Sequence, residues 1–248
     1  MITLFQSEQH QNLWLDDFGH GLAVQANQHL ILHEGMGMVL DPGGHKAFRQ
    51  TVAQVASTIP LTRLQHIFLS HQDPDIVAAI NGWLMTTDAD AWCSRLWVRF
   101  VPHFGVDQMV AHRLKPIPDE GMVLQLGSCP LLILPAHFLH SAGNFHVYDP
   151  HSRILYSGDL GASLLLDYRM VQDFQAHIPY MLEFHQRYMS SNAALRRWVR
   201  LVRQLDIDTI APQHGAIFRG KQLVQTFLDW CENLDCGLDL LPEYPLPG

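Results

Sequence analysis

Four apolar runs in this chain stop abruptly at histidine or aspartate, and no other feature constrains the fold as strongly. Leu64 to Leu69 runs into Ser70-His71-Gln72-Asp73-Pro74-Asp75, and Leu131 to Leu134 into Pro135-Ala136-His137-Phe138-Leu139-His140. Ile154 to Tyr156 ends on Ser157-Gly158-Asp159, and Ile207 to Ala211 on Pro212-Gln213-His214-Gly215. Short runs of Leu, Ile and Phe bounded by Pro, Gly and Asp read as buried strands. When each strand end delivers a histidine or aspartate, the simplest arrangement is one site at one edge of a sheet. In the first loop an imidazole and two carboxylates at alternate positions can point to a common centre, and a mixed nitrogen and oxygen set suits iron, manganese or zinc. The same loop has an ordinary reading, in which Asp and Pro set a turn and Asp75 caps the helix that follows.

Five segments in order carry a family resemblance: Glu34-Gly35 to Asp41-Pro42-Gly43-Gly44, the His71-x-Asp73-x-Asp75 loop, Leu139-His140-Ser141-Ala142-Gly143-Asn144, Ser157-Gly158-Asp159 and Ala211-Pro212-Gln213-His214-Gly215. Together they resemble the metallo-β-lactamase superfamily. In detail they look like its di-iron branch, the flavodi-iron proteins and the stand-alone oxygen-binding proteins related to them. The likeness covers nearly the whole chain and implies an α/β fold, the αββα sandwich, as a single domain over residues 1–248. The branch rests on Asp73. Zinc hydrolases of the superfamily usually place a second histidine there, whereas di-iron members bring a carboxylate, which hardens the site for a metal that moves between divalent and trivalent states.

The resemblance also implies a ligand set. His71, Asp73 and His140 would hold a first metal, Asp75 and His214 a second, and Asp159 would bridge them, with iron ahead of zinc and manganese. Three carboxylates against two divalent ions leave about one positive charge for a hydroxide. Ile76 departs from the pattern, standing where most relatives carry a further histidine, and Asp73 is one methylene shorter than the usual glutamate. His137 and His185 are candidates to compensate, although a satisfied imidazole outside the ligand shell is the commoner role for each. The string His185-Gln186-Arg187-Tyr188-Met189 resembles the region that brings a tyrosine near the metals in di-iron relatives. Tyr188 and Asp75 are therefore the candidate catalytic groups, with Tyr188 equally readable as core filler.

Composition narrows the alternatives. A formal net charge of -8 with only 16 Lys plus Arg leaves no basic patch for nucleic acid or an anionic membrane. Cys93, Cys129, Cys231 and Cys236 form no C-x-x-C, which argues against a disulfide framework, an iron–sulfur cluster or a thiolate zinc site and fits a reducing interior. Neither a leader-like amino terminus nor a bilayer-length apolar run is present, so a cytoplasmic location is expected. The sixteen histidines are too many for all to be ligands.

Two functions follow. The first is a di-iron protein that binds or reduces a diatomic, dioxygen before nitric oxide. It would act as a sensor or as a reductase supplied by a separate flavoprotein, since no flavodoxin domain and no Gly-rich loop for FMN are evident. A signalling partner or self-association is compatible with either role. The second is a hydrolase of phosphodiesters, thioesters or lactams, with Asp75 orienting a metal-bound hydroxide. Asp73, Ile76 and the lack of a Lys/Arg cluster weigh against it.

The periodicity predicts antiparallel strands at Leu13–Leu15, Leu22–Val24, His29–Leu32 and Met38–Leu40, closed off by Asp41 to Gly44, then a helix within His45–Ile59. A helix from about Ile76, a strand at Ala91–Cys93 and an irregular segment from Leu96 to Gly105 that would cap the site follow. Strands are predicted at Met122–Leu126, Pro130–Leu134, Phe145–Tyr148 and Arg153–Tyr156. One long helix is predicted over Pro179–Leu205, with His185, Tyr188, Met189 and Asn192 on one face and Arg196, Arg197, Arg200 and Arg203 on a solvated face.

Overall fold

The computed structural model describes residues 1–15, 25–244 and 246. The predicted strand at Leu22–Val24 lies outside the described residues. The first sheet holds seven strands in sequence order: β1 (Ile2–Gln6), β2 (His10–Trp14), β3 (His29–His33), β4 (Met36–Leu40), β5 (Leu64–Phe68), β6 (Asp90–Ser94) and β7 (Leu114–Ile117). Between β4 and β5 runs α1 (Phe48–Thr58), and between β5 and β6 run α2 (Pro74–Val77) and α3 (Ile80–Thr86). The second sheet takes β8 (Met122–Leu126), β9 (Cys129–Pro135), β10 (Phe145–Asp149), β11 (Ile154–Tyr156), β12 (Thr209–Ala211) and β13 (Phe218–Arg219). Helices α4 (Phe174–Tyr188), α5 (Asn192–Val202) and α6 (Lys221–Asn233) complete the chain.

Alternation along each strand builds the layers. Ile31, Met38, Leu40 and Phe68 of the first sheet meet Leu131, Ile133, Phe145 and Val147 of the second in a central core. Their neighbours Leu30, Val39 and Ile67 turn outward to pack with Val55, Ile80 and Trp83 of α1 and α3. Leu134, Tyr148 and Leu155 turn the other way, onto Met181, Trp198, Val199 and Phe227 of α4 to α6. This is the expected αββα sandwich.

Several expectations need correction. Asp41 to Gly44 does not close the first sheet: β4 pairs in parallel with β5, and β6 and β7 continue the sheet. β1 and β7 were not legible, and both are edge strands, where pattern is weakest; β7 even carries Pro116. The helix over Pro179–Leu205 is two helices. α4 begins earlier, at Asp173, whose carboxylate accepts from the Gln175 and Ala176 amides, and ends at Tyr188. Ser191 then caps α5 by accepting from the Ala194 amide. His185, Tyr188, Met189 and Asn192 therefore share no face: His185 and Met189 are buried, Tyr188 is exposed, and Asn192 donates to the Glu232 and Leu234 carbonyls beyond. The arginines of α5 do line its exposed side, opposite Leu195, Trp198 and Val199.

Candidate metal centre

The C-terminal ends of β5, β9, β11 and β12 converge at one edge of the sandwich, as the four apolar runs predict. His71 and Asp73 lie in the turn after β5, and α2 starts at Pro74 with Asp73 in the capping position. Asp73 makes no capping hydrogen bond. Its Oδ2 turns instead toward the site, 3.4 Å from His140 Nε2 and 3.6 Å from His71 Nε2. Asp75 sits in the first turn of α2 rather than capping it, and its Oδ2 lies 3.5 Å from His214 Nε2.

Asp159 joins the two groups. Its Oδ2 stands 2.9 Å from His140 Nε2 and 3.7 Å from His71 Nε2, while its Oδ1 faces the other way, 3.4 Å from His214 Nε2. That Oδ1 is buried and makes no hydrogen bond. The two imidazoles of the first group, His71 and His140, bring their Nε2 atoms within 3.2 Å. Converging lone pairs and an unpartnered buried carboxylate oxygen fit a pair of cations, and His71, Asp73, His140 and Asp159 each offer an atom within one 4.8 Å cluster.

Without a metal the site pairs its own charges. Burial disfavours the imidazolium of His140, but the carboxylates of Asp159 and Asp73 outweigh it and raise the ring to about 10. His214 is raised to about 9 on the same balance, with Asp159 the main opponent of burial. Burial would raise Asp159, yet His71, His140 and His214 around it hold its carboxyl well below the usual range.

The residues behind the ligand atoms fix their aim. His71 Nδ1 meets Ser70 Oγ at 2.9 Å, and the Ser70 amide donates to Asp41 Oδ1 at 2.8 Å. His214 Nδ1 donates to the Gln25 carbonyl at 2.5 Å, and the Gly215 amide donates to Gln25 Oε1 at 2.7 Å. The Gln25 carbonyl can only accept, so it fixes the His214 tautomer that leaves Nε2 free for a metal, and the Ser70 hydroxyl supports the same tautomer of His71 when it accepts. Gly215 has φ +78°, and a Cβ there would run into Ser163, so only glycine lets the chain turn here after His214.

Residues 24–215 match the family described as ODP family beta lactamase. The chain belongs to this family. It is similar to the structure titled "Apo state of chemotaxis sensor ODP from T. denticola", at 41% identity over 96% of each chain with a TM-score of 0.85. A second structure, titled "Peroxy diiron species of chemotaxis sensor ODP", matches at 42% identity over 96% of this chain and 97% of that one, with a TM-score of 0.87. The rubredoxin oxygen:oxidoreductase of Desulfovibrio gigas shares the fold, at 14% identity over 93% of this chain and 61% of that one, with a TM-score of 0.77. Among curated sequences, an anaerobic nitric oxide reductase flavorubredoxin of Salmonella arizonae is 25% identical over 81% of this chain. The chain spans 43% of that relative's length.

In this ODP-family chain the two proposed substitutes for a missing ligand are engaged elsewhere. His137 Nε2 bonds the Asp119 carbonyl at 2.7 Å. His185 Nδ1 donates to the Met181 carbonyl at 2.7 Å, and its Nε2 accepts from the Gly161 amide at 2.9 Å. Tyr188 stands against the site: its ring meets His140 edge-on at 5.6 Å and stacks on Phe184 at 4.7 Å. Of the segment expected to cap the site, Trp97 reaches the loop after His140, where a Cβ on Gly143 would collide with it and with Ser94. Its neighbours Val98 and Phe104 pack on the outer core instead. Gln25, Ser70, Asp41 and Gln213, whose Nε2 donates to Asp75 Oδ2 at 3.2 Å, gave no signal as supporting residues in the sequence. Glutamine and serine take such roles only through tertiary placement.

Ile76 is fully buried among Val39, Ile67 and Leu69. Ile76→His is expected to raise occupancy at the Asp75–His214 side by offering another nitrogen, while costing about 1–3 kcal/mol for a polar ring in an apolar cluster. Metal-to-protein ratios and urea midpoints read the two effects separately. Unchanged occupancy would mean that the position is already satisfied by another group.

Proposed function

We propose that this chain is a di-iron protein that binds dioxygen as a sensor, with His71, Asp73 and His140 holding one iron, Asp75 and His214 the other, and Asp159 bridging. The observation that carries the reading is the split of Asp159, whose two oxygens face opposite ligand groups across one carboxylate. Three carboxylates among three imidazoles favour iron over zinc, because anionic oxygen stabilises the trivalent state. Two ferrous ions would supply open coordination positions and the electrons that a bound diatomic draws on.

The chain's own residues shape how a diatomic is received. His140 is held by contacts on both sides, Asp73 and Asp159 at its nitrogen and Tyr188 at its ring face. Tyr188 brings a phenol, a hydrogen-bond donor, to the rim of the centre beside His140. Asp75 and Gln213 form the more open side: Asp75 is 40% exposed at its side chain against 6% for Asp159. Ligand entry is therefore expected next to Asp75.

A sensing role is supported by the close likeness to structures titled as a chemotaxis sensor over almost the whole of both chains. Continuous reduction of dioxygen or nitric oxide would need a donor such as a separate flavoprotein. The test is an absorption spectrum of anaerobic, Fe(II)-loaded protein before and after dioxygen, with metal content measured on the same sample. An oxygen-dependent band at two irons per chain supports the reading. No band, with zinc displacing iron in competition, would overturn it in favour of a hydrolase.

A further inference from the structure

The opposite edge of the sandwich holds a second convergence of ligand side chains. β2 begins at His10 and β3 ends at His33, and the two are cross-strand partners. β9 begins at Cys129 and β10 ends at Asp149, in the facing sheet. All four residues are buried. One ring nitrogen of His10, one of His33 and the Cys129 sulfur lie within 4.8 Å of one another.

Hydrogen-bond roles make this cluster more than a packing accident. Asp149 Oδ2 stands 2.7 Å from His10 Nε2 and also accepts from Asn12 Nδ2 and Ser152 Oγ, at 2.8 and 2.6 Å. A carboxylate in that role requires His10 to carry a proton on Nε2, which in the neutral ring leaves Nδ1 as a lone pair. Ser128 Oγ donates to Glu34 Oε1 at 2.9 Å, so toward His33 Nε2, also at 2.9 Å, it can only accept. His33 therefore carries its proton on Nε2 as well. The two Nδ1 lone pairs then face each other at 3.1 Å, which is repulsive unless a cation lies between them. Nitrogens on a tetrahedral zinc are about 3.3 Å apart, and imidazoles backed by a carboxylate or hydroxyl on the far nitrogen are the usual metal-binding form.

We propose that His10, His33 and Cys129 form a second metal site, separate from the Asp159 centre, for a borderline or soft divalent cation of the zinc class. Two imidazoles and one thiolate leave a fourth position, which opens on a cavity of about 370 Å³ lined by His33, Ser128, Cys129, Pro130, Pro150 and His151. Metal binding breaks the Cys129 S–H bond, forms a metal–sulfur bond and releases the proton to solvent. In the metal-free protein burial, with Asp149 and Glu34 adding to it, pushes that thiol up to about 12, so the metal must supply the opposing charge. Joining the first sheet to the second at this edge, the ion would clamp the sandwich where β2, β3, β9 and β10 meet.

The rival occupant is a single proton, making His10 an imidazolium that donates from Nδ1 to His33. Cobalt separates the two. Full-length protein with iron already loaded is titrated with Co(II), because a sulfur-to-cobalt charge-transfer band in the near ultraviolet requires a thiolate ligand and the Asp159 centre has none. The expected result is one cobalt per chain beyond the iron, with that band. The band should be lost in Cys129→Ser and kept in Cys93→Ser. Ser128→Ala, at an exposed position behind His33, should weaken cobalt binding about 10-fold without removing a ligand. A titration with no sulfur band, or a band that survives Cys129→Ser, would overturn the proposal and leave the proton as occupant.

Discussion

Asp159→Ala is expected to empty both positions of the candidate metal centre, where His140→Ala should empty only the first. The difference follows from reach: Asp159 Oδ2 is 2.9 Å from His140 Nε2 and its Oδ1 is 3.4 Å from His214 Nε2, so one side chain serves both groups. His140 borders only the Asp73 side. Removing the carboxylate also strips the buried countercharge from three imidazoles, and breaking one partner out of a buried charged set costs about 3–5 kcal/mol where the others cannot discharge. His140 and His214 can lose their protons, so the variant should still fold, with both rings titrating nearer their ordinary range. Asp159→Asn keeps the shape without the charge and should bind metal almost as poorly. Metal-to-protein ratios after iron loading decide the matter. Two irons per chain in Asp159→Ala would remove Asp159 as a bridge, and two in His140→Ala would remove His140 as a ligand.

The second large effect is an acid instability of the metal-free protein that begins well above the carboxylate range. Burial lowers His29 and His146 to about 3, and His177 and His185 to about 4. Their surroundings are built for the neutral ring: His146 Nδ1 accepts from Trp198 Nε1 at 3.0 Å, and His185 Nε2 accepts from the Gly161 amide. In the unfolded chain each imidazole takes a proton near pH 6.5. The unfolded state therefore binds more protons below that pH, and stability falls as pH drops from about 6.5 toward 4, by about 1.4 kcal/mol per unit for each ring. Asp41 acts in the opposite sense, because burial raises its carboxyl to about 6 and the folded state takes up that proton first. The four rings lose roughly 8 kcal/mol by pH 5, while Asp41 and the raised His140 and His214, which the folded state keeps protonated as pH falls from 7.5 to 6.5, each return roughly 1 kcal/mol, so a net loss on the order of 4 kcal/mol remains, a large part of the whole stability of many domains. Urea midpoints at pH 7.5, 6 and 5 measure it. A midpoint that holds steady to pH 5 would mean these rings accept protons inside the fold.

The candidate centre was legible because its parts are local. His71, Asp73 and Asp75 sit in one loop, and His140, Asp159 and His214 each follow an apolar run that could only be a strand. The candidate residues and the strand order survive translation into sequence, since both are set by residue type and spacing. The break between α4 and α5 was not legible, because helical spacing runs unbroken across Met189 to Ser191 while the cap at Ser191 and the clamp at Asn192 depend on partners elsewhere. Edge strands β1 and β7 escaped for a related reason, having one neighbour each and little pattern to betray them.

The second cluster marks the limit. The cysteines argue against a thiolate metal site when read along the chain, since no two share a motif and Cys129 lies far along the chain from His10 and His33. Only stacking of the two sheets brings Cys129 and Asp149 over the His10–His33 pair. By itself the sequence determined the sandwich, the edge at which its loops gather and the six residues they deliver there. Tertiary structure alone decided which oxygen of Asp159 faces which imidazole, which tautomers the buried histidines hold and which distant side chains meet, because those depend on distances across sheets that no spacing along the chain encodes.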